Sequence, residues 1–244
     1  MIAILMVLAA AQAPVIRVAT DATFPPFHFL DDAKKPDGFE IALARLVIER
    51  EGFEPVVLVM LYDDLFPGLD NGRHDVIAAT TGITPEREKR YLFSKPYFET
   101  CQAALVRSGE NEPSTLADLA GRRVGAAGAG TSARALAGLA GVKKVPLGKG
   151  EAGVPALETG AIDALVLDEF GAVRAARASQ GRLRVFAEPV AFERYAFVLS
   201  RKNEELRSAI DGALEDLEHD GRLEELRKKF GVERGADWPV KIGR

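Results

Sequence analysis

Cysteine is nearly absent: Cys101 stands alone in 244 residues, so no disulfide can form within the chain, and no Cys or His lies at metal-ligand spacing from it. It reads as a small packing residue. Histidine is as scarce, with His28, His74 and His219 widely separated and outside any HExxH-type motif. No metal and no cofactor is expected. Charged residues make up 28% of the chain with the two signs interleaved and a net charge of -4, so no basic stripe offers itself to a phosphate backbone. Nucleic acid is not an expected partner. No apolar run reaches the roughly 20 residues that span a bilayer. The longest, MIAILMVLAAAQA, fills the first 13 residues and ends in small side chains, with Ala11 and Ala13 at signal-peptidase spacing. It reads as an export signal, although no Lys or Arg precedes it and Pro14 follows Ala13; a buried first strand or a misassigned start is the other reading. With 47% hydrophobic and 7% aromatic residues, the chain as a whole has the composition of a soluble globular protein.

What is present is a repeated alternation of strand and helix. VIRVAT, PVVLVM, DVIAAT, RRVGAA, DALVLD and LRVFA are short apolar runs separated by helical stretches or Gly-containing turns, the pattern of parallel α/β sheets. Phe39, Leu43, Leu46 and Val47 fall on one face of a helix ending near Gly52. Leu206, Ile210, Leu214 and Leu217, then Leu223, Leu226 and Phe230, mark two amphipathic helices at the end. The two halves also correspond. GRHDVIAAT from Gly72 and GAIDALVLD from Gly160 each read Gly, two residues, Asp and an apolar strand, and the residue five beyond each Asp is polar. These residues are Thr80 and Asp168. Asp21 likewise follows VIRVAT, and Thr131 with Ser132 follows RRVGAA through the turn GAG. Ligands of open α/β sheets bind at strand carboxyl ends, so these polar groups mark a candidate site.

TPER, Thr84 to Arg87, reads as a helix start with Thr84 as N-cap and Pro85 at the first helical position. Arg87 beside Thr80 and Thr81 could grip a carboxylate with two parallel hydrogen bonds; a surface residue of the charged run EREKR is the competing reading. GAGTSAR starts a helix whose free N–H groups, with the Thr131 or Ser132 hydroxyl, suit a carboxylate. It lacks the spacing of a nucleotide loop, and a purely structural cap is its other reading. Asp168 offers a carboxylate to an ammonium group and also stands where it would cap a helix from Glu169 to Ser179. Asp21 offers a second carboxylate, or serves the turn before Phe24 and Pro25. Phe24, Phe27 and Tyr62 supply apolar walls or core. A zwitterion would satisfy both charged ends, since an unpaired buried charge is costly.

These residues resemble the extracytoplasmic amino-acid-binding proteins of ABC importers, solute-binding protein family 3. The similarity runs from about Val15 to Phe230 through IRVATDATFPPF, GFEIALARL, YDDLFPGLDNGRHDVIAATTGITPEREKRYLFSKPYF, LADLAGRRVG, GTSA, TGAIDALVLDE and LEHDGRLEELRKKFG. The resemblance implies a two-lobed α/β fold of type II, each lobe a mostly parallel sheet flanked by helices. The implied order is a signal peptide at 1–13, lobe 1 at 14–103, lobe 2 at 104–194, and at 195–244 a return crossover with the C-terminal helices of lobe 1. The crossover strands are expected near Ala103 to Val106 and Tyr195 to Leu199. The resemblance further implies that Arg87 binds a ligand carboxylate, Asp168 its ammonium and Asp21 its side chain, weakly favouring a polar or cationic amino acid. Phe24 and Tyr62 lie against the ligand, and Thr131 or Ser132 supplies a hydroxyl. Thr80, Thr81 and Gly82 complete the set, Gly82 standing where a hydroxyl residue is common. The expected protein is a periplasmic monomer that closes its lobes on a free amino acid, delivers it to a membrane ABC permease and has no catalytic residues. A longer GAGTS loop and the terminal Trp238 and Pro239 are also similar to cyclohexadienyl dehydratases, which act on prephenate or arogenate on the same fold. Gln102 and Gly171 stand where those enzymes carry a Lys and a Glu. A ligand-sensing domain is the third reading.

Overall fold

The computed structural model describes residues 13–109, 112–127, 130–147, 153–233 and 238–240. The candidate export signal, Ala13 excepted, lies outside the described residues, as do Gly128 and Ala129 of the GAGTS turn. The chain forms two compact α/β units. Unit 1 comprises 13–95 and Ala196–Glu233, and unit 2 comprises Pro96–Tyr195 and 238–240.

Unit 1 begins with β1 (Val15–Thr20), a small antiparallel sheet of β2 (Thr23–Phe24), β3 (His28–Leu30) and β4 (Pro36–Asp37), and the helix α1 (Phe39–Arg50). The apolar stripe of α1 is buried through Phe39, Ile41, Leu43, Val47 and Ile48. The helix stops before Gly52, whose φ of +78° suits glycine. There follow β5 (Glu54–Val59), α2 (Tyr62–Asp70), β6 (Val76–Ile77), α3 (Pro85–Glu88) and β7 (Tyr91–Phe93). Beyond unit 2 the chain returns as β14 (Val198–Ser200), α7 (Glu204–His219) and α8 (Arg222–Phe230), the two terminal helices packing on α1. The main sheet has the order β5-β1-β6-β14-β7, with β1 parallel to both neighbours and β14 antiparallel to its own.

Unit 2 contains β8 (Phe98–Arg107), β9 (Arg123–Ala127), α4 (Thr131–Gly138), β10 (Lys143–Leu147), α5 (Gly153–Glu158), β11 (Ala164–Asp168), α6 (Glu169–Ala178), β12 (Leu183–Val185) and β13 (Ala191–Tyr195). Its sheet runs β10-β9-β11-β8-β12, and β13 also pairs with β8. Strands β9, β10 and β11 are parallel, while β8 is antiparallel to β11, β12 and β13. Ala104, Val106, Val124, Ala126, Ala164, Val166 and Phe186 form the core against α4.

The chain changes unit between Lys95 and Pro96, earlier than the crossover expected near Ala103 to Val106. That stretch is instead the interior of β8, completely buried because β11 and β12 flank it. The second change, between Tyr195 and Ala196, falls within the expected segment. Trp238 belongs to unit 2, where its ring lies 4.9 Å from Phe170, so residues 238–240 group with unit 2 and not with the C-terminal helices of lobe 1.

The repeated Gly-x-x-Asp pattern has one structural meaning in both units. In unit 1 the Asp75 carboxylate accepts the Arg17 backbone N–H at 2.9 Å and its guanidinium at 2.8 and 3.0 Å, while Asp75 donates its own N–H to the Arg17 carbonyl. In unit 2 Asp163 accepts the Arg123 backbone N–H at 2.8 Å and its guanidinium at 2.7 and 3.1 Å, and donates to the Arg123 carbonyl. The aspartate at the start of one strand thus staples the arginine of the parallel neighbour. Each Arg holds its Asp carboxyl below the usual range, by outweighing burial at Asp75 and as the largest influence at Asp163.

Candidate functional site

In unit 1 the sequence-predicted residues gather beyond the carboxyl ends of β1 and β6. Strand β6 ends at Ile77, earlier than the apolar run implies, because the chain turns out of the ladder at Thr80, whose φ is +43°. Thr80 N–H is held by Glu40 Oε2 at 2.7 Å, and its hydroxyl lies 3.2 Å from His28 Nε2. Thr84 caps α3, accepting the Arg87 N–H at 3.3 Å. This cap sets the backbone of Arg87. Its guanidinium donates to the Gly82 carbonyl at 2.8 Å and to the Tyr62 hydroxyl at 3.0 Å, and lies 5.4 Å from the centre of the Phe66 ring. Among the described residues Arg87 forms no ion pair.

Asp21 accepts from the Thr23 hydroxyl, and its other oxygen stands 3.2 Å from His28 Nδ1. Neither of those two facing atoms has hydrogen-bond geometry, and the buried Thr81 hydroxyl also lacks a partner. Such atoms are costly unless a ligand or water meets them. His28 is buried, which lowers its pKa to about 4 against the opposing pull of Asp21. Phe24 stacks on Phe27 at 5.6 Å and is partly exposed, whereas Phe27 is core.

In unit 2 Asp168 ends β11 and caps α6. Its Oδ1 accepts the Phe170 N–H at 2.8 Å and the Gly171 N–H at 3.4 Å, so the cap reading holds. Its Oδ2 accepts from the Tyr195 hydroxyl and lies 3.4 Å from the Thr100 hydroxyl. No cation pairs with it among the described residues. Burial pushes the Asp168 carboxyl up to about 7 against the Tyr195 and Phe170 hydrogen bonds, and the charges of Glu193 and Glu169 push the same way. Asp168 keeps partial exposure, so solvent tempers that rise.

Thr131 and Ser132 open α4, and both hydroxyls meet the buried Gln102 amide. Gln102 Nε2 donates to Thr131 Oγ1 at 3.2 Å and to Glu193 Oε2 at 2.6 Å, and Gln102 Oε1 accepts from Ser132 at 2.7 Å. Register explains the grouping: Gln102 lies opposite Asp168 on one side and Ala191 on the other, and Thr100 lies opposite Glu193. Directly opposed residues share a sheet face. Glu40, His28, Gln102, Glu193 and Tyr195 were not identified as site residues from the sequence. A signal for some of them exists: Thr100 and Gln102 interrupt the apolar run of β8 at period two.

The model of the bacterial extracellular solute-binding proteins, family 3, matches residues 16–233. The chain belongs to this family. Among curated relatives, this solute-binding protein is 31% identical over 220 residues to the L-cystine-binding protein TcyJ of Escherichia coli (strain K12), covering 88% of this chain and 82% of that one. An ancestral arginine-binding protein bound to arginine shares its fold with a TM-score of 0.77 and 33% identity, over 90% of this chain and 99% of that chain. The ancestral amino-acid-binding protein AncCDT-1, a precursor of cyclohexadienyl dehydratase, matches with a TM-score of 0.75 and 26% identity, over 88% and 95% of the two chains. No described helix is long and apolar enough to cross a membrane.

Proposed function

We propose that this solute-binding protein captures a free amino acid for an ABC permease, Arg87 taking the carboxylate and Asp168 the ammonium group. One observation carries the reading. Unit 1 presents a guanidinium with no carboxylate partner and unit 2 a carboxylate with no cationic partner, among the described residues, each beyond a strand end. A zwitterion neutralises both. Gly82 and Tyr62 hold the guanidinium through two of its donors, which leaves further donors for a carboxylate. The orphan oxygens of Asp21 and Thr81 suit a polar or cationic ligand side chain, with Phe24 and Tyr62 as its apolar walls. Thr80 fixes the turn that presents Thr81 and Gly82, and Thr131 and Ser132 present the Gln102 amide. In this reading the first 13 residues direct export, and the protein works as an extracytoplasmic monomer without catalysis of its own.

The relatives named for cystine and arginine support an amino-acid ligand. Protein stripped by unfolding and refolding is expected to show a thermal shift with one or a few of the common amino acids, L-arginine and L-cystine being the first to try. Arg87→Ala and Asp168→Ala each abolish that shift while circular dichroism stays native. Turnover of prephenate, or retained affinity in both variants, would reverse the conclusion.

A further inference from the structure

The sequence holds a single tryptophan, Trp238, and the motifs that carry the binding site leave it unused. It is buried in unit 2, its ring 4.9 Å from Phe170 and under the Arg177 guanidinium at 5.8 Å. Its indole N–H donates to Glu169 Oε2 at 2.8 Å. Glu169 is completely buried and directly follows Asp168, and its other oxygen accepts from the Thr100 hydroxyl at 2.9 Å. That hydroxyl also lies 3.4 Å from Asp168 Oδ2. An unbroken series of polar contacts therefore runs from indole to Glu169, to Thr100, to Asp168. The indole ring packs on Phe170, and its N–H is a donor that the buried Glu169 carboxylate uses.

We propose that Trp238 is a positioning residue for Asp168: by holding Glu169, it fixes the Thr100 hydroxyl and the start of α6, and so sets the orientation and charge of the carboxylate that receives the ligand's ammonium. This rests on the role given to Asp168 above. The titratable and hydroxyl groups facing Asp168 include Tyr195, Thr100, Glu169 and Glu193, and those facing Trp238 include Glu169 and Arg177. A proton leaving Asp168 therefore changes the field at Glu169 and at the indole.

Two measurements on the full, ligand-stripped chain test the coupling. Because Trp238 is the only tryptophan, its emission reads this spot alone. Between pH 5.5 and 8.5 the emission is expected to change in one step that is lost in Asp168→Asn. For the second measurement, calorimetry at pH 8 with L-arginine, L-cystine and L-histidine as probes compares the parent with Trp238→Phe, which keeps a smaller aromatic ring and removes the N–H. Affinity is expected to fall about two- to thirtyfold, the range seen for residues that act through an intervening contact. A step that survives Asp168→Asn, or unchanged affinity in Trp238→Phe, overturns the proposal. If the parent binds no amino acid, the proposed function fails, and the emission step alone still decides whether Trp238 and Asp168 are coupled.

Discussion

Ligand affinity should depend steeply on pH, because Asp168 has to be a carboxylate to receive an ammonium group and its pKa in the empty protein sits at about 7. The perturbation is pH alone. Apparent affinity is the plateau value multiplied by the fraction of protein already deprotonated, so with that pKa it should fall about twofold at pH 7, about tenfold at pH 6 and about a hundredfold at pH 5. The ligand's own ammonium does not titrate in this window. Binding then releases protons, about half of one at pH 7, which appears as a dependence of the calorimetric heat on the buffer's ionisation enthalpy. A control fixes the cause. Glu193 is one of the charges that raise the Asp168 pKa, so Glu193→Gln should move the midpoint to lower pH. Affinity that is flat from pH 5.5 to 8, with heats independent of buffer, would refute the assignment of Asp168 as the ammonium receptor.

Other consequences follow from the same structure. His28 has a folded pKa of about 4, below the unfolded value of 6.5, so its neutral form contributes stability above pH 6.5 that is lost as pH falls through 4, at most about 3 kcal/mol. Urea midpoints of His28→Gln should lose that slope; a slope equal to the parent's would contradict it. Arg87→Lys keeps the charge but cannot reach Gly82, Tyr62 and a carboxylate together, so affinity should drop about ten- to a hundredfold with the thermal midpoint of the empty protein unchanged. Asp75→Asn should cost about 1 to 2 kcal/mol, discounted because the Arg17 side chain is 40% exposed, and Asp163→Asn a similar amount. Urea unfolding measures both, and losses under about 0.3 kcal/mol would mean the staples are ornamental.

What could be read ahead of the structure was local. The Thr84 cap, Pro85 and the placement of Arg87 depend on four consecutive residues, and so does the Asp168 cap, so short-range chemistry decides them. The Gly-x-x-Asp pattern was visible because each copy is contiguous. The partnership of Glu40 and Thr80 spans 40 positions, that of Gln102 and Glu193 spans 91, and that of Glu169 and Trp238 spans 69. Nothing local announces these pairs, because tertiary packing creates them: a helix against a turn for Glu40 and Thr80, neighbouring strands for Gln102 and Glu193, and a helix start against the terminal segment for Glu169 and Trp238. The first crossover was misplaced for the same reason: an apolar strand such as Ala103 to Val106 looks alike whether it joins two units or lies buried inside one.

The paired staples of Asp75 on Arg17 and Asp163 on Arg123 have a consequence for how such a molecule can change its ligand. Each staple locks the offset between two parallel strands at the point where the second strand enters the sheet, so the residues that follow set out from an equivalent start in both units. The position five residues on is then delivered to the same kind of place whatever side chain it carries: a threonine in one unit, an aspartate in the other. Chemistry at that address can be exchanged without renegotiating the scaffold that brings it there.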